Sequence, residues 1–255
     1  MSMLRPLLVV AAAIAWGTAA AAAAGPSREI ARALAREDGR LLYREEHWHL
    51  PGGGRLVLYR CPDGTPFARK TVAAGPSAEA PDFAFEDGRD GYREGVRSGA
   101  AGREVYVRDR ADAAERQARL RIPDDAVVDA GFDAAVRTRW DALAAGTRLS
   151  FLLPSRLAFV PVRIVDHDRA ADDARTRRLR MTLDTWFGFA VPAVDLVYDA
   201  ASRRLLTFSG TGTIRDGRGR HRPVRIVFDA APPAPVSPAA LAAAQQVRLD
   251  GRCAL

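Results

Sequence analysis

Residues 41–72 read LLYREEHWHLPGGGRLVLYRCPDGTPFARKTV, and their texture decides the fold class. In the first ten residues Leu41, Tyr43, Glu45, His47 and His49 fall on one line. Leu42, Arg44, Glu46, Trp48 and Leu50 fall on the other. That alternation is the period of a β-strand. "PGGG" at 51–54 makes a turn, "RLVLYR" at 55–60 a second strand, "CPDG" at 61–64 another turn, and "FARKTV" at 67–72 the return strand. Together they predict an antiparallel meander.

Working outward, strands recur at Arg148 to Leu153, Leu157 to Val165, Arg178 to Asp184, Val194 to Tyr198, Arg204 to Gly210 and Val224 to Phe228. Short turns join the later ones, so they are expected to pair as antiparallel neighbours. Phe83 to Glu86 and Val105 to Arg108 read as short strands, and 111–120 is polar and receives no firm element. "EIARALARE" at Glu29 to Glu37 has helical spacing and predicts a short helix or arm. The strongest helix signal is "DAGFDAAVRTRWDALAAG", residues 129–146, with Asp129 as N-cap, Gly146 as stop, and Phe132, Val136, Trp140 and Leu143 on one apolar stripe. After the strap "APPAPVSP", Ala239 to Val247 reads as a closing helix. The expected fold is therefore mainly β (α+β): a curved antiparallel sheet or incomplete barrel wrapping one amphipathic helix.

The N-terminal residues address the compartment. Arg5, the apolar run Leu7 to Trp16 and the alanines up to Ala24 have the layout of a cleavable signal peptide. The expectation is a signal at 1–24 and a single β-rich domain at 25–255, located in the periplasm or secreted and not transmembrane after cleavage. The net charge is +7, and Lys70 is the only lysine. Because the arginines are interleaved with carboxylates and export removes nucleic acid from reach, no nucleic-acid partner is expected. Of the two cysteines, Cys61 and Cys253, the even count in an oxidising compartment suggests a disulfide, with two buried thiols as the alternative.

Several stretches carry a resemblance. "LLYREEHW", "LYRCPDGTPFARK", "APDFAFEDGRDGYREG", "DAGFDAAVRTRWDAL", "LPSRLAFVPVRI" and "RRLLTFSGTGTIRDG" resemble an uncharacterised family of exported bacterial proteins over most of the chain. That family brings no established function with it. More distantly, the strand order and turn texture look like the periplasmic lipoprotein carriers. This second likeness implies an incomplete barrel with a hydrophobic hollow and a helical lid.

The chemical motifs are sparse. His47 and His49, two apart on a strand, would present two imidazoles beside Glu45, but tetrahedral zinc needs one or two further ligands, and the sequence gives no reason to choose among the distant aspartates. "VDHDR" at 165–169 sets His167 between two aspartates without a nucleophile motif, and it reads as a strand end entering a charged loop. "GTGT" at 210–213 lacks the Lys-Ser/Thr of a phosphate loop and reads as a bulge or bend in a curved strand. No metal and no cofactor is expected. One constellation stands out: Tyr43, Glu45 and His47 on one strand face, with Arg69 and Lys70 on the nearby hairpin. If that face turns inward, it would form the polar end of an apolar pocket closed by Phe132 and Trp140. Three functions are compatible with this pattern. They are non-enzymatic binding of a lipid or other apolar or amphiphilic ligand, a structural or interaction role beside an envelope protein with a filled core, and a hydrolase or metal protein using Glu45 and His47.

Overall fold

The computed structural model describes residues 25–167, 175–186 and 192–254. The signal-like segment 1–24 lies outside them, as does the Asp168 side of the "VDHDR" motif. Strands take up 49% of the chain and helices 11%, so the protein is mainly β. The first eight strands are β1 (Ser27–Ala35), β2 (Leu41–His49), β3 (Arg55–Arg60), β4 (Pro66–Val72), β5 (Phe83–Asp87), β6 (Arg93–Gly99), β7 (Gly102–Arg108) and β8 (Arg116–Arg119). The short β9 (Ala126–Val127) leads into helix α1 (Gly131–Thr138). Then come β10 (Thr147–Leu153), β11 (Ala158–Asp166), β12 (Thr176–Leu183), β13 (Val194–Asp199), β14 (Leu205–Arg215), β15 (His221–Phe228), β16 (Ala234–Pro235) and helix α2 (Pro238–Gln245).

All the strands belong to one curved, unclosed sheet, in the order β8-β7-β6-β5-β4-β3-β2-β1-β15-β14-β13-β12-β11-β10-β9, with β16 pairing on β1. Neighbours are antiparallel except β9 with β10. Directly paired residues share a face, and the pairings trace one inner face across the sheet. Leu179 pairs with Leu196, Leu196 with Phe208, Phe208 with Ile226, Ile226 with Ala33, and Ala33 with Tyr43. The β5–β8 end of the sheet curls back onto its middle. Arg89 donates to the Arg215 carbonyl at 2.9 Å and Arg215 to the Asp109 carbonyl at 2.7 Å, joining β14 to the turns around β5–β7.

The inner face holds two packed cores. One is aromatic: Tyr43, Tyr59, Phe67, Phe85 and Tyr92 are all buried, with ring centroids 5.7–6.1 Å apart along the chain of contacts. In the other, Ala135 and Val136 of α1 pack with Trp140 and Leu143 onto Leu149, Val162, Ile164, Leu179 and Leu196. On the outer face α2 lays Leu241 and Ala244 over Trp48, Leu56 and Leu58. A disulfide joins Cys61 to Cys253, with an S–S distance of 2.15 Å.

Three local expectations are corrected. "EIARALARE" is not a helix but part of β1, one of the central strands. Ala31, Ala33 and Ala35 face inward between β2 and β15, and pairing on both sides outweighs alanine's helical propensity. The 129–146 helix is shorter than its stripe. The α-helix stops at Thr138, Trp140 lies in the following turn, and Leu143 sits on a 3-10 turn at Ala142–Ala145 that ends at Gly146, φ 85°. Asp129 does not cap it: its φ is 45°, and Ala130 holds the cap position. The polar 111–120 stretch contributes the edge strand β8.

Candidate functional site

The inner face carries a polar layer beside the aromatic core. His47 pairs with Val57, Val57 with Lys70, Lys70 with Phe85, and Phe85 with Glu94, so these side chains form one row. The adjacent row holds Glu45 and Tyr59. His47 Nε2 lies 2.8 Å from Glu45 Oε2, with both residues buried, while His47 Nδ1 and the Tyr43 hydroxyl have no hydrogen-bond partner among the described residues. Lys70 Nζ donates to Asp129 Oδ1 at 2.5 Å and sits 5.8 Å from the Phe83 ring. Asp129 just precedes α1, so this ion pair ties the helix to the inner face. Its left-handed backbone is tolerated because aspartate enters that region more readily than most residues.

Burial governs the ionisation of this layer. It pushes the Tyr43 and Tyr59 hydroxyls well above the usual tyrosine range, with the Glu45 charge adding to the effect. It also raises the Glu94 carboxyl, against the opposing hydrogen bond that Tyr92 donates at 2.6 Å.

Of the residues singled out in the sequence, Tyr43, Glu45 and His47 do share the inner face, and Lys70 joins them. Arg69 does not. It lies on the outer face, donating to Glu86 at 2.8 Å and to the Gln245 carbonyl of α2. The reason is a bulge in the β3–β4 hairpin: Arg60 pairs with Pro66 but Tyr59 with Ala68. Continued without the shift, the first pairing would set Arg69 opposite Val57. One extra residue exchanges the two faces and sets Lys70 there instead. Phe132 meets Phe151 edge-on at 6.4 Å, and Trp140 meets Tyr198 at 5.8 Å under the stacked Arg177 guanidinium. Both belong to the second core rather than to the Tyr43–His47 layer. His49 Nε2 reaches Glu29 Oε1 at 3.0 Å. No group of three or more His, Cys, Asp or Glu side chains suited to a metal ion occurs among the described residues.

The space for a ligand lies at the rim of this face. A groove of about 400 Å³ runs between α1 and the adjoining ends of β3 and β4. Its walls are small: Ala73, Ala74, Ala78, Ala130 and Ala134, with Val72 and Pro81. Gly131 allows the close approach that shapes it, since a Cβ there would stand 2.0 Å from the Glu79 carbonyl oxygen. The segment before β5 is strapped to the helix region by Val128 N–H donating to that carbonyl at 3.0 Å and by Arg139 donating to Glu79 Oε2 at 2.5 Å. Arg55 and Arg137 enter the groove with Asp133 between them. Asp133 pairs with Arg137 one helical turn on and lies 4.0 Å from Arg55. The sequence reading missed these three residues. The i, i+4 spacing of Asp133 and Arg137 was visible, but nothing in the chain connected it to Arg55. A second groove, of about 230 Å³, lies over Phe85 and Tyr106.

No family model, curated protein or solved structure matches this chain. No helix among the described residues is long and apolar enough to cross a membrane.

Proposed function

We propose that this chain is an exported, non-enzymatic binding protein that seats an amphiphilic ligand between α1 and the rim of its curved sheet. The observation that carries this reading is the α1 groove. Its volume of about 400 Å³ falls in the range of small-molecule sites, roughly 300–1,000 Å³, and its alanine walls offer apolar contact next to charged side chains. In this reading α1 serves as the lid of an incomplete barrel. The ligand lies under the lid's outer side, because aromatic rings occupy the space deeper in. The leader-like residues 1–24 and the Cys61–Cys253 bridge both favour an oxidising, extracytoplasmic location. The resemblance to exported bacterial proteins and to lipoprotein carriers points the same way.

One observation favours a second reading. The aromatic residues from Tyr43 to Tyr92 are all buried in one cluster on the inner face, as expected of an envelope protein that works through its surface. The hydrolase or metal reading has less support: no group of three or more His, Cys, Asp or Glu side chains suited to a metal ion forms around the Glu45–His47 pair among the described residues.

Native mass spectrometry of protein recovered from the periplasm, with extraction of bound material, separates the two. The binding reading expects a co-purifying amphiphile that Ala134→Trp, which fills the groove, abolishes without lowering the melting temperature. A bare wild-type protein that also fails to take up dodecanol or dodecanoate would overturn it in favour of the surface-interaction role.

A further inference from the structure

The groove at α1 has a charge pattern that selects among amphiphiles. Arg55 begins β3 with its side chain on the inner face, in the row His49–Arg55–Val72. Arg137 comes from the last turn of α1. The two guanidiniums approach the same opening from opposite walls, and a single carboxylate, Asp133, stands between them. The charge of Glu29 also reaches both guanidiniums, but its carboxylate is already held by His49 at 3.0 Å and Arg204 at 3.3 Å. The local sum is therefore one uncompensated positive charge. Arg137 responds to the crowding: burial first, and then the Arg55 charge, lower its pKa from the ordinary arginine value. Two like charges remain side by side with spare donors, since a guanidinium carries five N–H groups and one carboxylate cannot occupy them all.

Resting on the binding reading above, we propose that the ligand is a single-chain carboxylate, its head held between Arg55 and Arg137 and its tail laid along Ala73, Ala74, Ala78 and Ala134. A monoanion cancels the one surplus charge, whereas a phosphate dianion would bring a second negative charge close to Asp133. The planar fork of each guanidinium matches a carboxylate. Arg55 and Arg137 act as the selectivity elements, and the alanine wall as the anchor for the tail.

The test is isothermal titration of the disulfide-bonded mature protein with four probes: dodecanoate, dodecanol, dodecyl phosphate and acetate. It is repeated on Arg55→Gln/Arg137→Gln and on Ala134→Trp. Dodecanoate is expected to bind the wild type most tightly and acetate not measurably. The double variant should lose about a hundredfold for dodecanoate, about tenfold for each charge-assisted contact, while binding dodecanol as before. Ala134→Trp should lose both. Equal affinity for dodecanol and dodecanoate, or a double variant that still binds dodecanoate as wild type does, overturns the carboxylate assignment and leaves the groove reading intact. Tighter binding of dodecyl phosphate likewise replaces the ligand class alone. If no chain-bearing probe binds, the groove reading itself fails. Arg55 and Arg137 are both partly solvent-facing, so the glutamine variants are expected to fold, and circular dichroism melts confirm it.

Discussion

Glu94 is a carboxyl held on the inner face among Tyr92, Phe85 and Lys70, with only 7% of its surface exposed. Burial raises its pKa above the unfolded value of 4.5. Between those two values the folded state holds the proton more firmly than the unfolded chain does. Its contribution to stability therefore falls as the pH rises through that window. Glu29 acts in the opposite sense. Burial opposes its ionisation, but the His49 hydrogen bond and the nearby cations outweigh that and lower its pKa, so its contribution is present above pH 4.5 and lost on acidification. Glu94→Gln isolates the first effect. The stability of the variant relative to wild type, measured by urea unfolding, is expected to improve as the pH rises above 4.5 and to level off once the folded-state carboxyl has ionised. A difference that does not change with pH would show that Glu94 has the same pKa in the folded protein as in the unfolded chain.

At the scale of elements, β1 is where alternation and helical propensity compete most directly. Ala31 and Ala33 have no exposed surface, while Arg32 between them is exposed. Small side chains suit this strand because Tyr43 and Ile226 crowd in from the strands on either side. Ala33→Leu is expected to cost about 1–3 kcal/mol by overpacking, and Arg32→Leu to stay within about 0.5 kcal/mol. Paired urea titrations check the contrast. Equal effects at the two positions would mean that β1 does not present alternate residues to the core. The bulge between Tyr59 and Arg60 is the other decisive local feature, since it turns Lys70 inward and Arg69 outward. The same device in β2 brings both Leu42 and Tyr43 into the core, next to the register shift at Ala33 and Leu34.

On the scale of the whole molecule, the C-terminal segment straps the outer face. The Gln245 carbonyl accepts from Arg69, Gly251 N–H donates to the Pro66 carbonyl at 2.8 Å, and Cys253 is bonded to Cys61 across a separation of 192 residues. Closing so long a loop restricts the unfolded chain, and in the loop-entropy model it is worth about 4–5 kcal/mol. Cys253→Ser should therefore lower the urea midpoint substantially, and reductant should lower the wild type to the same level while leaving the variant unchanged. If reductant leaves the wild type unaffected, the strap is held by the packing of α2 on Trp48, Leu56 and Leu58 rather than by the bond.

What the chain determined by itself were properties that repeat along it. Period-2 runs separated by Pro/Gly turns specify antiparallel strands one after another, and the inner parity of Tyr43, Glu45 and His47 follows from alternation within a single strand. Phe132 and Val136 were legible as a helix face for the same reason. What only the tertiary structure decided depends on partners distant in sequence. A one-residue bulge settled whether Arg69 or Lys70 faces inward. Pairing with β15 and β2 made a strand of an alanine-rich segment that has helical spacing. Arg55, Asp133 and Arg137 meet only because α1 crosses the rim where β3 begins, some eighty residues earlier in the chain. Strand periodicity is a local property of the backbone, whereas register and the meeting of charges are set by which surfaces the folded chain buries against each other.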